Sequence, residues 1–115
     1  MVVGELAEKE ADELFHALAD STRRDILRRC AAGELSVSRV AQGYPMSFAA
    51  VQKHVAVMER AGLIVKERHG REQLVRTDAG AITRVRQVLD ELEKTWRGRV
   101  ERMSDLLDAE PGGTD

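Results

Sequence analysis

At 115 residues with a net charge of −2, the chain suits one domain, which buries about two-thirds of its unfolded surface on folding. Aromatic residues make up 3% and charged residues 33%, so the core must be built from Leu, Val, Ile, Ala and Met, a composition that suits helices. A lone cysteine, Cys30, excludes an internal disulfide framework, no apolar run is long enough to span a membrane, and the acidic start MVVGELAEKE is unlike a secretion signal; a soluble, cytoplasmic protein is expected.

Residues 5–19, ELAEKEADELFHALA, set Leu6, Ala7, Ala11, Leu14, Phe15 and Leu18 at helical spacing. Asp20 and Ser21 stop this helix and offer N-caps for the next, STRRDILRRCAAG, in which Ile26, Leu27, Cys30 and Ala31 face inward and Gly33 marks the end. A short helix follows from Ser36 to Gln42, carried by Val37, Val40 and Ala41. Gly43-Tyr44-Pro45 then forces a turn, because proline disfavours helical geometry at Tyr44. Ser47 caps a fourth helix, SFAAVQKHVAVMERAG, with Val51, Val55 and Met58 inward and Gly62 at its end.

Beyond Gly62 the apolar period changes from about 3.6 residues to about 2. LIVKER and REQLVR read as two strands joined at His69-Gly70. Asp78 caps a last helix reaching Leu107, whose apolar positions Ile82, Val85, Leu89, Leu92, Trp96, Met103 and Leu106 alternate in steps of three and four, like a coiled-coil seam. Arg99 interrupts the seam, and Val100 lies on its edge. Residues 111–115 read as a disordered tail after a single domain spanning 1–110.

Short helix, tight turn, longer helix and basic hairpin form a helix-turn-helix with a wing. The expected fold is therefore mainly α with a small β-hairpin, a winged helix-turn-helix that dimerises through its N- and C-terminal helices. Charge is partitioned along the chain: −5 over residues 1–20, +3 over 21–44, +4 over 45–86 and −4 over 87–115. A basic middle between acidic ends fits a polyanion-binding centre and equally fits solvated faces.

For double-stranded DNA, the first turn of the fourth helix must be slim enough for a major groove about 12 Å wide. Ser47, Phe48, Ala49 and Ala50 meet that need, with Gln52 and Lys53 outward; glutamine pairs with adenine, and lysine reaches guanine or phosphate. Ser47 suits a phosphate. Phe48 reads as a thymine-methyl contact or as an anchor, and His54, beside inward Val55, as a structural histidine or a DNA contact. On the wing, Lys66, Arg68, His69 and Arg71 are candidate backbone contacts, with Glu67 and Glu72 opposing them. A helix of about 30 residues rises about 45 Å, more than so small a domain covers. Leu89, Leu92, Trp96 and Met103, with Leu6 and Leu14 of the first helix, are therefore the expected homodimer contacts.

LFHALADSTRRDILRRC and AAVQKHVAVMERAGLIVKERHGREQLVR resemble the ArsR/SmtB family of bacterial winged-helix repressors, over roughly Ala11 to Leu92. The resemblance implies a homodimeric transcriptional regulator, most often a repressor, that binds an inverted-repeat operator through its fourth helix and wing and is released by an effector. Metal-sensing relatives carry ELCVCDL at the short helix; this chain reads ELSVSRV, with Ser36, Ser38 and Arg39. Hydroxyls do not replace thiolates for soft metals. The family's alternative site needs histidine on the last helix, and residues 78–107 hold none.

No metal and no cofactor are expected, and a small-molecule effector stays open. Asp12, His16 and Asp20 share a helix face without further ligands, and inward Cys30 reads as a structural thiol or, less simply, a redox switch. No nucleophile–base pair or phosphate loop suggests an enzyme. The rival reading is a protein-interaction module that uses the long helix and binds DNA weakly.

Overall fold

The computed structural model describes the backbone of residues 3–108 and the side chains of residues 8–108. The side chains of Leu6 and Ala7 and the tail 111–115 thus fall outside what is described. The helices begin and end where short-range side-chain chemistry lets them. α1 (Val3–Leu18) stops just before Asp20, whose Oδ1 accepts the amides of Thr22 at 2.8 Å and Arg23 at 3.1 Å and so starts α2 (Ser21–Ala32). Ser36 Oγ accepts the Arg39 amide at 3.1 Å to start α3 (Val37–Gln42). Ser47 Oγ accepts the Ala50 amide at 3.1 Å to start α4 (Phe48–Arg60).

α4 ends in a Schellman motif: the Leu63 amide reaches Met58 O at 2.9 Å and the Gly62 amide reaches Glu59 O at 3.0 Å. Gly62 takes φ +81, a region open to glycine, and the motif's hydrophobic pair, Met58 and Leu63, is fully buried.

Three strands form an antiparallel sheet in the order β1-β3-β2, with β2 (Ile64–His69) and β3 (Glu72–Thr77) as the hairpin. β1 is only Leu35–Ser36, paired to Val75 and Leu74. The sequence reading had two strands, because two residues cannot display a period. The hairpin pairs His69 with Glu72, so Gly70 and Arg71 form its turn, one residue later than expected. Gly70 takes φ +65 while Arg71 does not have a positive φ, the sign pattern of a type II′ turn.

Ile26, Cys30, Val37, Val40, Val51, Val55, Met58, Leu63, Ile64 and Val75 pack into one core with Leu14 and Ala17 of α1 and with Ala81 and Val85 of α5 (Ala79–Asp108). Ala31, expected inward, is exposed. Thr77 Oγ1 ties β3 to α2 by donating to Leu27 O at 3.2 Å.

By its contacts the chain divides into two units, Met1–Val85 and Arg86–Asp115, with the division inside α5. The second holds the rest of that helix to Asp108, on which Leu89, Leu92, Trp96, Val100, Met103, Leu106 and Leu107 are all exposed. No described helix is long and apolar enough to cross a membrane.

Hydrogen bonds from the Arg23 and Thr22 amides hold the Asp20 carboxyl below its usual value, the Arg23 bond most strongly, against opposing desolvation. A depressed folded pKa contributes stability above the unfolded value and loses it as pH falls through the folded one. Asp20→Ala should therefore lower the melting temperature at neutral pH, and the gap to the parent should narrow as the pH falls below the ordinary aspartate range and through the lowered Asp20 value. Thermal melts across that range measure it; a gap independent of pH contradicts the assignment.

Candidate nucleic-acid interface

α3, the turn Gly43–Ser47 and α4 form the helix-turn-helix, and the β2–β3 hairpin follows as the wing. The outward side of α4 is as narrow as the sequence implies. Ser47, Ala49, Gln52 and Lys53 are exposed, and Phe48 is 47% exposed despite its size. Val51, Val55 and Met58 lock the opposite side into the core. His54 is the exception among the expected contacts. It is half-buried, and its Nδ1 lies 3.2 Å from Arg23 Nη1. A guanidinium can only donate, so Nδ1 accepts and a neutral ring carries its proton on Nε2. His54 fastens α4 to α2 instead of standing free for a base.

α2 also fixes the turn. Arg29 donates to Val40 O at 3.2 Å and Arg39 O at 3.4 Å, carbonyls at the end of α3, the first of which also accepts the Gly43 amide at 3.1 Å. Its guanidinium stacks 5.3 Å from the centre of the Tyr44 ring. Tyr44 Oη donates to Asp25 Oδ2 at 2.5 Å, back on α2. Burial first, then the bond to the Asp25 carboxylate, pushes the Tyr44 phenol up, so it stays a donor. Nothing in the order of residues announced this loop of α2, α3 and turn; the aromatic in the Gly-Tyr-Pro turn was its only local sign.

On the wing, Arg68, His69 and Arg71 are exposed around the hairpin tip. Arg68 Nε donates to Gly70 O at 3.3 Å, which holds its side chain beside the turn. Lys66 is half-buried and pairs with Glu59 of α4 at 3.5 Å, which braces the wing's base. Glu67 is neutralised by Arg76 at 3.1 Å.

Between the start of α3, α4 and the wing tip lies a cleft of about 210 Å³ bordered by Ser36, Ser38, Gln52, Arg71, Glu72 and Gln73, with the Phe48 ring as a wall. The residues here do not fit a soft metal: Ser36 Oγ already serves as a helix cap, Ser38 is a second hydroxyl, and Arg39 adds positive charge. Among the described residues no three of His, Cys, Asp and Glu converge on a point. On the Asp12–His16–Asp20 face, Asp20 is turned to the amides of α2. Cys30 is 3% exposed, and burial pushes its thiol up, against the Arg29 charge, so it packs as an apolar group.

The expected dimer contacts separate. Leu14 is 2% exposed and sits in its own chain's core, so it has no surface to give a partner; its helical spacing could not distinguish the two roles. Leu89, Leu92, Trp96 and Met103 are open, Trp96 at 64%.

Residues 18–67, from the end of α1 into the wing, match the family described as a helix-turn-helix domain. The chain is 36% identical over 70 residues to the HTH-type transcriptional regulator Rv2034 of Mycobacterium tuberculosis, a match covering 61% of this chain and 65% of that protein, just under two-thirds of its length. It resembles the crystal structure of an ArsR family transcriptional regulator, RHA00566, with 30% identity and a TM-score of 0.74, covering 78% of this chain and 93% of the other. It also resembles an ArsR-like transcriptional regulator from Rhodococcus sp. RHA1, with 26% identity and a TM-score of 0.78, covering 86% of this chain and 93% of that one.

The clamp on the turn yields a coupling test. A Cβ at Gly43 would stand 2.5 Å from Arg29 Nη1, while the backbone there, φ −83 and ψ 0, suits any residue. Arg29→Ala should cost about 1–3 kcal/mol in urea unfolding. Gly43→Ala should destabilise the parent but add little on top of Arg29→Ala. Fully additive losses would show that the two residues do not meet.

Proposed function

This chain belongs to the ArsR family of winged helix-turn-helix transcriptional regulators, and we propose that it binds double-stranded DNA as a homodimer, with α4 in the major groove and the wing against the backbone. The observation that carries the reading is the exposed first half of α4. A slim turn of Ser47, Phe48 and Ala49 precedes Gln52 and Lys53, whose side chains have no hydrogen-bond or ion-pair partner among the described residues. Gln52 matches adenine, Lys53 a guanine edge or a phosphate, and Arg68, His69 and Arg71 match the backbone beside the groove. His54 and Lys66 position α4 and the wing and make no primary contact in this reading.

One chain offers few base contacts, so a two-fold pair on an inverted repeat supplies the rest. The exposed seam Leu89, Leu92, Trp96 and Met103 supports that pairing. Bound over a promoter, such a dimer acts as a repressor by excluding other proteins. Release by a soft metal at Ser36 and Ser38 forms no part of the mechanism. The relatives are regulators, and no catalytic role is assigned.

Fluorescence anisotropy with the chain's own promoter region and with random duplex, across salt, tests the reading. The promoter should bind far more tightly, with a log–log salt slope of about −0.9 per neutralised phosphate. Lys53→Ala and Arg71→Ala should each weaken binding by about 1–3 kcal/mol, Arg71→Ala also flattening the slope. Equal affinity for promoter and random duplex sinks sequence-specific binding. Trp96→Asp should give monomers by sedimentation and lose promoter affinity; a stoichiometric complex with another protein, and no promoter footprint, would favour the interaction-module reading.

A further inference from the structure

The cleft between α3, α4 and the wing has chemistry that the reading above uses only in part, at Gln52 and Arg71. Alongside the apolar Val37 and Phe48 and the Glu72 carboxylate, its border carries hydrogen-bond donors: the hydroxyls of Ser36 and Ser38, the carboxamides of Gln52 and Gln73, and the guanidinium of Arg71. These donors are uncommitted. Ser36 Oγ accepts the Arg39 amide, which leaves its O–H to donate. Ser38, Gln52, Arg71 and Gln73 make no side-chain hydrogen bond or ion pair among the described residues. Arg23, Arg24, Arg29 and Arg76, by contrast, are all engaged with carbonyls or a carboxylate. The pairing of β1 with β3 sets Ser36 opposite Leu74, which brings the start of α3 beside Gln73 and the wing tip. Three separate elements thus aim free donors into one space of about 210 Å³, open beside Phe48 on the exposed side of α4.

We propose that this cleft seats a single backbone phosphate of the bound duplex, gripped by Ser36, Ser38, Gln73 and Arg71 while Gln52 reaches the adjoining base. Donors of this kind are the ones that grip phosphate oxygens in protein–DNA interfaces, and the one cation supplies the charge-assisted bond. A phosphate held between α3 and the wing fixes the depth and register at which α4 enters the groove. Ser36, Ser38 and Gln73 then become DNA-positioning residues, a role their sequence positions gave no reason to assign. The Glu72 carboxylate also borders the cleft and opposes an anion there; the site's strength is therefore held down by a charge that one substitution removes. The inference rests on the DNA-binding reading above.

The test uses the full chain and a set of promoter duplexes, each with one phosphate replaced by a neutral methylphosphonate. In the parent, one position per half-site should cost roughly tenfold in affinity, the scale of a hydrogen-bonded charge. In Ser38→Ala/Gln73→Ala, two exposed sites whose loss leaves the melting temperature unchanged, binding to unmodified duplex should fall roughly fivefold to tenfold and that position should no longer matter. Glu72→Gln should tighten binding several-fold. If each neutralised phosphate costs parent and variant the same, or Glu72→Gln weakens binding, the cleft holds no phosphate. If inorganic phosphate alone binds at low millimolar level and is lost in the same variant, the site serves free phosphate and the duplex assignment fails. A parent that binds no duplex at all overturns the DNA reading itself, before any variant is made.

Discussion

The last carbonyls of a helix have no partner within it, and a chain this short has few spare groups to satisfy them. Here α2 supplies the donors. Arg23 reaches Ala17 O at 2.7 Å and His16 O at 3.0 Å, and Arg24 reaches Leu18 O at 2.7 Å, so the end of α1 is closed. One and a half turns further on, Arg29 closes the end of α3. These cations sit at the negative ends of two helix dipoles, where charge and hydrogen bonding act together. Through His54 the Arg23 fork also takes hold of α4, and through Tyr44 the Arg29 fork takes hold of the turn. The angle at which α4 is presented therefore depends on one helix lying behind it, with Ile26 and Cys30 as its apolar middle.

That arrangement changes what the basic middle of the chain means. Residues 21–44 carry a surplus of positive charge, yet Arg23, Arg24 and Arg29 commit N–H donors to carbonyls and Arg28 lies 3.7 Å from Asp25. A helix-capping arginine keeps its charge and still adds to the long-range field, but its N–H donors are already engaged, so it is poorly placed to grip a phosphate. The cations with donors left for a polyanion include Arg39 of α3, Lys53 of α4 and Arg71 of the wing. Net charge by segment could not show this division; only the hydrogen-bond partners do. It also explains why a single copy is a weak candidate for tight DNA binding, and why the proposed pairing of two copies matters.

What was legible in the sequence was local. Asp20, Ser36 and Ser47 act within three residues of themselves, and Gly62 marks a Schellman turn within five. Such signals survive any tertiary arrangement. The buried faces of α3 and α4 were likewise set by their own spacing. What was hidden spans greater distances: Arg29 meets Val40 and Thr77 meets Leu27 across the fold, and arginine or threonine at a given position does not reveal its partner. β1 was hidden because its identity comes from Val75 and Leu74, not from its own two residues. Leu14 shows the limit of periodicity. An apolar stripe states that a residue will be covered, but not by which molecule.

The same limit bears on α5, in the opposite sense. Its seam keeps one heptad rhythm from Ile82 to Leu106, broken only by Arg99, yet Val85 is 8% exposed and Leu89 already 49%. The pattern continues after intramolecular burial has stopped. At about 25 cal/mol per Å² of apolar surface, a stripe of Leu, Trp and Met left in water forgoes several kcal/mol. Chains rarely keep so regular a stripe open without a use for it. A heptad seam asks for another helix with the same rhythm, and a second copy of α5 has it by construction. Such a pairing would tie two recognition helices to one two-fold axis and turn few contacts per chain into a half-site spacing of about one turn of DNA. In that arrangement the long helix would measure distance along the duplex, while the arginine clamps of α2 would set the angle at which each α4 is presented.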